Sequence, residues 1–278
     1  MSANAFLLSE RNLMPAFKAH EPGTFCYAEL VSTDPVATSA FYRELFGWDQ
    51  RDNDLGEHGI YSHFHMNGAI TGAQYKRNAE QEAAGVPPHW SVYIAVADVD
   101  AATDQAREMG ANVLMQPFDV FDVGRMSVLQ DPQGAAFSLW QEGTSCGVGV
   151  MDEPGAMCWQ ELMTSDTQGG QKFYTDLFGW QSETMNMGEM GDYTIFTRGV
   201  ARDVGGMVQV PADHGPIPSH WLLYFEVAAV DVAHEAALKL GAKTIVPPTD
   251  IPTAGRFAVI QDPVGAVFGI YKSAKKAK

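Results

Sequence analysis

The sequence predicts an α+β protein made of two tandem modules, each a pair of βαβββ units. Three observations carry this. First, residues 22–50 align without gaps on 154–182 with twelve of 29 positions identical, and residues 89–117 align on 220–248 with twelve of 29. Base composition would give about one match in sixteen. Second, runs such as TFCYAELVS and WSVYIAV alternate and are rich in aromatic and β-branched residues, as strands are. Third, helical stretches with end signals follow these strands at matching places in both modules.

The elements follow in order. TFCYAELVS is a strand; Asp34 then caps a helix whose first position is Pro35, where the missing N–H costs nothing. Phe41 and Leu45 share a face of that helix, and Gly47 stops it. GIYSHFHMN and GAITGAQYK read as strands, and WSVYIAV opens the second unit. VDAATDQAREM is a helix stopped at Gly110, and ANVLMQP, RMSVLQ and AAFSLWQ are strands, the last two joined by the turn Asp131-Pro132-Gln133-Gly134. GRMSVLQDPQGAAF (124–137) recurs as GRFAVIQDPVGAVF (255–268), with nine of 14 positions identical. The boundaries are an extension at 1–21, module one at 22–141, a linker at 142–153, module two at 154–272 and a basic tail at 273–278.

Composition excludes several classes. The net charge of −16 repels phosphate backbones and anionic bilayers, so neither nucleic acid nor membrane is an expected partner. No apolar run approaches the roughly 18 residues that span a bilayer, and Glu10 and Arg11 interrupt the first segment, so a cytoplasmic protein is expected. Three cysteines suggest no disulfide framework. Cys26 and Cys158 repeat at one strand position as small hydrophobes, and Cys146 falls outside the repeats as a free thiol.

The order of elements, with FYxxLFGW after the first strand and DPxGxxF before the last, resembles the vicinal oxygen chelate superfamily of glyoxalases, bleomycin-resistance proteins and extradiol dioxygenases. The two-module glyoxalase-like proteins of the CFP-30 or hydroxylase-like type are the nearest in pattern. The likeness spans about nine tenths of the chain. It implies that each module forms a curved mixed sheet cupping a ligand, with divalent-metal ligands on the opening strand of each unit and on a closing strand. Carried over residue by residue, those positions are Tyr27, Ser91 and Ser138 in module one and Trp159, Leu222 and Gly269 in module two. None supplies the imidazole or carboxylate that zinc, nickel or iron requires, so no metal or other cofactor is expected.

Glu29 and Glu161 stand two residues after Tyr27 and Trp159, and period-two alternation puts them on the same face. A carboxyl in an apolar cup has a raised pKa, as a general acid or base needs; the alternative is a glutamate hydrogen-bonded across the sheet. Tyr93 and Tyr224 recur on that face as cup walls or core. The expected cavities are lined by Tyr27, Glu29, Ser91, Tyr93 and Ser138, and by Trp159, Glu161, Leu222, Tyr224 and Gly269, with Cys26, Ala28 and Leu30 facing the helices. Arg125 and Arg256 are expected to pair with Asp131 and Asp262, and His89 and His220 to fix turns. His63 and His65 alternate on one strand, near His58, as an alternative metal pair, but module two has Ile195 and Thr197 there. No Ser–His–Asp or Cys–His arrangement is read.

Two functions lead, ahead of a metal-dependent glyoxalase or dioxygenase and of an interaction protein that uses the fold as a scaffold. One is metal-free binding of a small aromatic or amphipathic molecule. The other is a lyase, isomerase or hydroxylase-like enzyme using Glu29 or Glu161. Tandem duplication lets one chain supply the interface that single-module relatives make by pairing, so a monomer or weak homodimer is expected.

Overall fold

The computed structural model describes residues 17–199, 202–210 and 217–274; most of the N-terminal extension and the last four residues of the basic tail lie outside them. Module one runs β1 (Phe25–Ser32), α1 (Pro35–Phe46), β2 (Asp49–Asp54), β3 (Ile60–Met66), β4 (Ala69–Lys76), a short α2 (Ala79–Ala83), β5 (His89–Ala95), α3 (Val99–Glu108), β6 (Asn112–Val120), β7 (Gly124–Gln130) and β8 (Ala136–Glu142). Module two repeats this as β9 (Met157–Thr164), α4 (Thr167–Phe178), β10 (Gln181–Asn186), β11 (Asp192–Arg198), β12 (Arg202–Gln209), β13 (His220–Glu226), α5 (Val230–Lys239), β14 (Lys243–Ile251), β15 (Gly255–Gln261) and β16 (Val267–Ser273). No described helix is long and apolar enough to cross a membrane.

Each module folds into its own eight-stranded mixed sheet, β2-β3-β4-β1-β5-β8-β7-β6 and β10-β11-β12-β9-β13-β16-β15-β14. The opening strands of the two units are antiparallel neighbours at the centre of each sheet, β1 with β5 and β9 with β13. The sequence signals act as expected at the first helix. The Asp34 side chain accepts from the Ala37 N–H, and Gly47 ends the helix in the left-handed region at φ 71°. The strand β2, with sequence DQRDND, has no apolar alternation, and it forms because it pairs along its length with β3.

The helices cover one face of each sheet, and the two covered faces meet in a continuous apolar core. The exchange is reciprocal. Phe46 of α1 packs on Phe225 of module two, and Phe178 of α4 packs on Phe137 of module one. The Trp48 indole donates to the Gly155 carbonyl at 2.8 Å, and the Trp180 indole donates to the Gly23 carbonyl at 2.8 Å. Both modules therefore complete their cores only against each other.

Two expectations need correction. A bulge between Phe25 and Tyr27 breaks the alternation of β1, so Cys26 packs with Tyr93, Ala95 and Trp140 instead of joining Ala28 and Leu30 under the helices. Phe25 takes the helix-facing side and meets Trp180 and Trp221 of module two. The same bulge in module two sends Met157 into the core and groups Cys158 with Leu222 and Tyr224. The arginines also differ. Arg125 forks onto Asp100 and reaches Asp119, and Arg256 does the same with Asp231 and Asp250. Asp131 and Asp262 instead fold their carboxyls over the DPxG turns, accepting N–H bonds from residues such as Ala135 and Ala266.

Candidate functional site

The helix-free face of module one gathers the predicted residues by strand register. Glu29 on β1 is flanked by Ser91 on β5 and Ala73 on β4, and His63 on β3 continues that row. Tyr27 pairs with Tyr93, and Tyr93 with Ser138, in the next row. Module two repeats the rows as Leu222–Glu161–Gly206 and Trp159–Tyr224–Gly269.

Glu29 is the hub. Its Oε1 accepts from the Tyr61 hydroxyl at 2.6 Å and its Oε2 from the Tyr93 hydroxyl at 2.7 Å. The Tyr27 hydroxyl lies 3.2 Å from that of Tyr61. Burial pushes the Glu29 pKa up; the Tyr61 and Tyr93 bonds, which favour the anion, offset only part of the rise. Tyr75 stands close enough to feel the Glu29 charge, its own pKa pushed up to about 12, chiefly by burial. In module two the Tyr224 hydroxyl donates to Glu161 at 3.0 Å, Tyr193 is its second phenolic partner, and burial again raises the carboxyl pKa.

The floor of each site is filled by its own tyrosines rather than hollow: Tyr93 is 4% exposed and Tyr224 5%. Ser138 and Leu222 are likewise buried. Gly269 serves a packing role, since a Cβ there would overlap the Tyr224 ring, and a Cβ on Gly206 would overlap the Tyr193 hydroxyl. A cleft of about 330 Å³ over Arg43, Glu44 and Trp48 and another of about 240 Å³ beside His20, Trp140 and Cys146 are lined by neither Glu29 nor Glu161. Neither gathers a buried carboxyl and phenols, and the chemistry points to the sheet faces instead.

Three features escaped sequence reading. Tyr61 and Tyr193, the direct partners of the glutamates, stand at one place in the repeat (GIYSHF and GDYTIF), and that recurrence was the available signal. The third is a Ser–His contact: the Ser91 hydroxyl lies 3.2 Å from His89 Nε2, while His89 Nδ1 lies 2.8 Å from the Pro87 carbonyl. The carbonyl fixes the proton on Nδ1, leaving Nε2 to accept. His220 makes the matching bond to Pro218, but Leu222 replaces the serine.

The residues at the inherited metal positions do not fit a transition metal. The Tyr27 and Ser91 hydroxyls are engaged with Tyr61 and His89, Ser138 offers only a buried hydroxyl, and Trp159, Leu222 and Gly269 offer no ligand atom. His63 and His65 have ring centroids 6.2 Å apart, Asn53 occupies His63 Nδ1 at 2.9 Å, and among the described residues no three His, Cys, Asp or Glu side chains converge on a metal-sized site.

Fold and site together define a two-module sheet protein that presents one half-buried carboxyl flanked by phenols on the open face of each module. The chain belongs to the Glyoxalase/Bleomycin resistance protein/Dioxygenase superfamily, whose model matches residues 24–139 and again 156–270. It is 37% identical to CFP32 of Mycobacterium tuberculosis, a proposed glyoxylase, over 94% of this chain and 99% of the relative. It is 32% identical to the anthracycline biosynthesis protein DauV of Streptomyces sp. strain C5, over 90% and 93%. Among solved structures it resembles the Mn(II)-bound glyoxalase of Novosphingobium aromaticivorans at TM-score 0.64 and 17% identity, covering 92% of this chain and 84% of that one. It resembles the 2,3-dioxygenase LapB of Pseudomonas sp. KL28 at TM-score 0.64 and 13% identity, covering 92% and 93%. Those two likenesses concern the fold.

Proposed function

We propose that the chain binds a small, flat, oxygen-bearing organic molecule on the open faces of its sheets, anchored at the Glu29 and Glu161 clusters without a catalytic metal. The observation that carries this reading is the Glu29 cluster: one half-buried carboxyl contacted by two phenols, with a third phenol, Tyr27, beside them. Aromatic walls give area to a flat ligand, and a few convergent polar groups fix its orientation. DauV's place in anthracycline biosynthesis is compatible with a fused-ring ligand.

A second reading, an acid–base enzyme of lyase, isomerase or hydroxylase-like type, is favoured by the raised pKa of both glutamates, which holds a proton nearer neutrality than an exposed carboxyl does. Native mass spectrometry of purified protein tests the primary reading. The expected result is a retained organic ligand, its occupancy reduced in Glu29→Gln. One equivalent of zinc, nickel, manganese or iron per module after dialysis would overturn the metal-free assignment.

A further inference from the structure

The two clusters share a glutamate and two tyrosines but end differently. In module one the chain of hydrogen bonds from Glu29 passes through Tyr61 and ends on the Tyr27 hydroxyl, and either phenol of that last pair can be the donor. In module two Tyr193 stands beside Glu161, and the Trp159 indole Nε1–H donates to the Tyr193 hydroxyl at 2.9 Å. A phenol both donates and accepts; an indole N–H only donates.

The difference decides what each chain can do. With Glu29 ionised, Tyr61 donates to it and Tyr27 donates to Tyr61, so Tyr27 offers lone pairs to a ligand. With Glu29 protonated, its O–H donates to Tyr61, Tyr61 donates to Tyr27, and Tyr27 offers its O–H. Adding one proton at the carboxyl therefore reverses the whole chain. The chain in module two cannot reverse, because Trp159 has no lone pair to receive a proton.

We propose that module one binds a weakly acidic hydroxyl compound, a phenol or enol, at Tyr27 and moves its proton onto Glu29 through Tyr61, whereas module two binds without proton transfer. This rests on the binding reading above and names the ligand class of the same site. The step balances without a co-reactant. The ligand O–H bond breaks, its proton goes to Tyr27, that of Tyr27 to Tyr61, and that of Tyr61 to Glu29 Oε1. The ligand oxyanion is left accepting from Tyr27, and no electrons change hands. The negative charge leaves a half-buried carboxyl that accepts from two phenols and passes to a delocalised oxyanion. The titratable groups facing Glu29 are Tyr27 on β1, Tyr61 and His63 on β3, Tyr75 on β4 and Tyr93 on β5. Burial favours the neutral form of His63, so it sets no competing charge against the carboxyl.

The test uses 4-nitrophenol, whose anion is yellow and whose neutral form is not, added to the full chain over a pH series that descends from just below the probe's own pKa, so that the upper end reads the protein with Glu29 ionised. The expected result is one yellow equivalent per chain. Tyr27→Phe and Tyr61→Phe, checked for native circular dichroism, each lower the bound anion about tenfold or more. Trp159→Tyr raises the count to two. Anion signal that survives in Tyr27→Phe, loss in Tyr193→Phe instead of Tyr61→Phe, or two yellow equivalents in the wild type would overturn the proposal. Probe bound in its neutral form would overturn proton transfer alone, and no saturable binding at all would remove the binding reading beneath it.

Discussion

The Tyr42 hydroxyl of module one donates to Asp262 Oδ2 of module two at 3.0 Å, while its oxygen accepts the Trp90 indole N–H at 2.9 Å. Tyr174 repeats the arrangement in reverse, donating to Asp131 at 3.0 Å and accepting from Trp221 at 2.8 Å. Each module thus lends a tyrosine to close the other's DPxG turn. Tyr42→Phe leaves a buried carboxyl and a buried indole N–H each short of one partner. An unsatisfied buried group costs about 1–3 kcal/mol, and Asp262 keeps its backbone donors, so a loss of about 2 kcal/mol in urea unfolding is expected. Tyr42→Phe and Tyr174→Phe should add nearly independently, since they share no partner.

The same interface motivates a test of the oligomeric state. The apolar faces of the two modules bury each other within one chain, so sedimentation equilibrium is expected to report a monomer at micromolar concentration. Residues 17–152 made alone would expose the face carrying Phe41, Phe46 and Trp48, and should self-associate or aggregate. A well-behaved, soluble, monomeric fragment would show that the shared core is dispensable.

Gly269 gives a sharper test of how module two is packed. Its counterpart Ser138 tolerates a Cβ, but at Gly269 the Tyr224 ring already lies against the strand. Gly269→Ser should force that ring away from Glu161 and cost about 1–3 kcal/mol, as overpacking does. Ser138→Gly should cost about 0.5–1 kcal/mol, the strand penalty of glycine. Thermal unfolding of the two variants compares them directly, and equal effects would mean that the ring relocates freely.

The duplication made most of the architecture legible, because each element was read twice. Asp34, Pro35 and Gly47 bounded α1 as their local chemistry dictates. Strand β2 carried no periodic signal, since its residues are mostly exposed at a sheet edge. Period-two counting placed Glu29 and Tyr93 on one face but failed at Cys26, where an extra residue in the bulge shifts the phase. Arg125 forks onto Asp100, which sits 25 residues away on α3, a distance that no local rule bridges. Tyr61 reaches Glu29 from two strands over, and sequence spacing does not show which phenol spans that gap.

The buried carboxyls also fix how stability responds to pH. Glu29, Glu161, Asp131 and Asp262 all have pKa values raised by burial, against hydrogen bonds that pull the other way. An unfolded glutamate releases its proton near pH 4.3, while the native one still holds it. Between those points the native state binds more protons than the unfolded state, so raising the pH favours unfolding. The contribution is complete below the ordinary carboxylate range and is lost as pH climbs through the raised values. Each group can tilt the curve by at most about 1.4 kcal/mol per pH unit, and partial exposure of the two glutamates makes their share smaller. Glu29→Gln with Glu161→Gln removes two of the four groups while leaving, at Glu29, an amide oxygen to accept from one tyrosine and an amide N–H to donate to the other. Urea unfolding at pH 5 and pH 8 should show the double variant gaining on the wild type at the higher pH, with a reduced slope remaining from Asp131 and Asp262. Parallel curves for the two proteins would mean that the glutamates ionise in the native state as easily as in the unfolded chain, and their role as proton carriers would fall with that result.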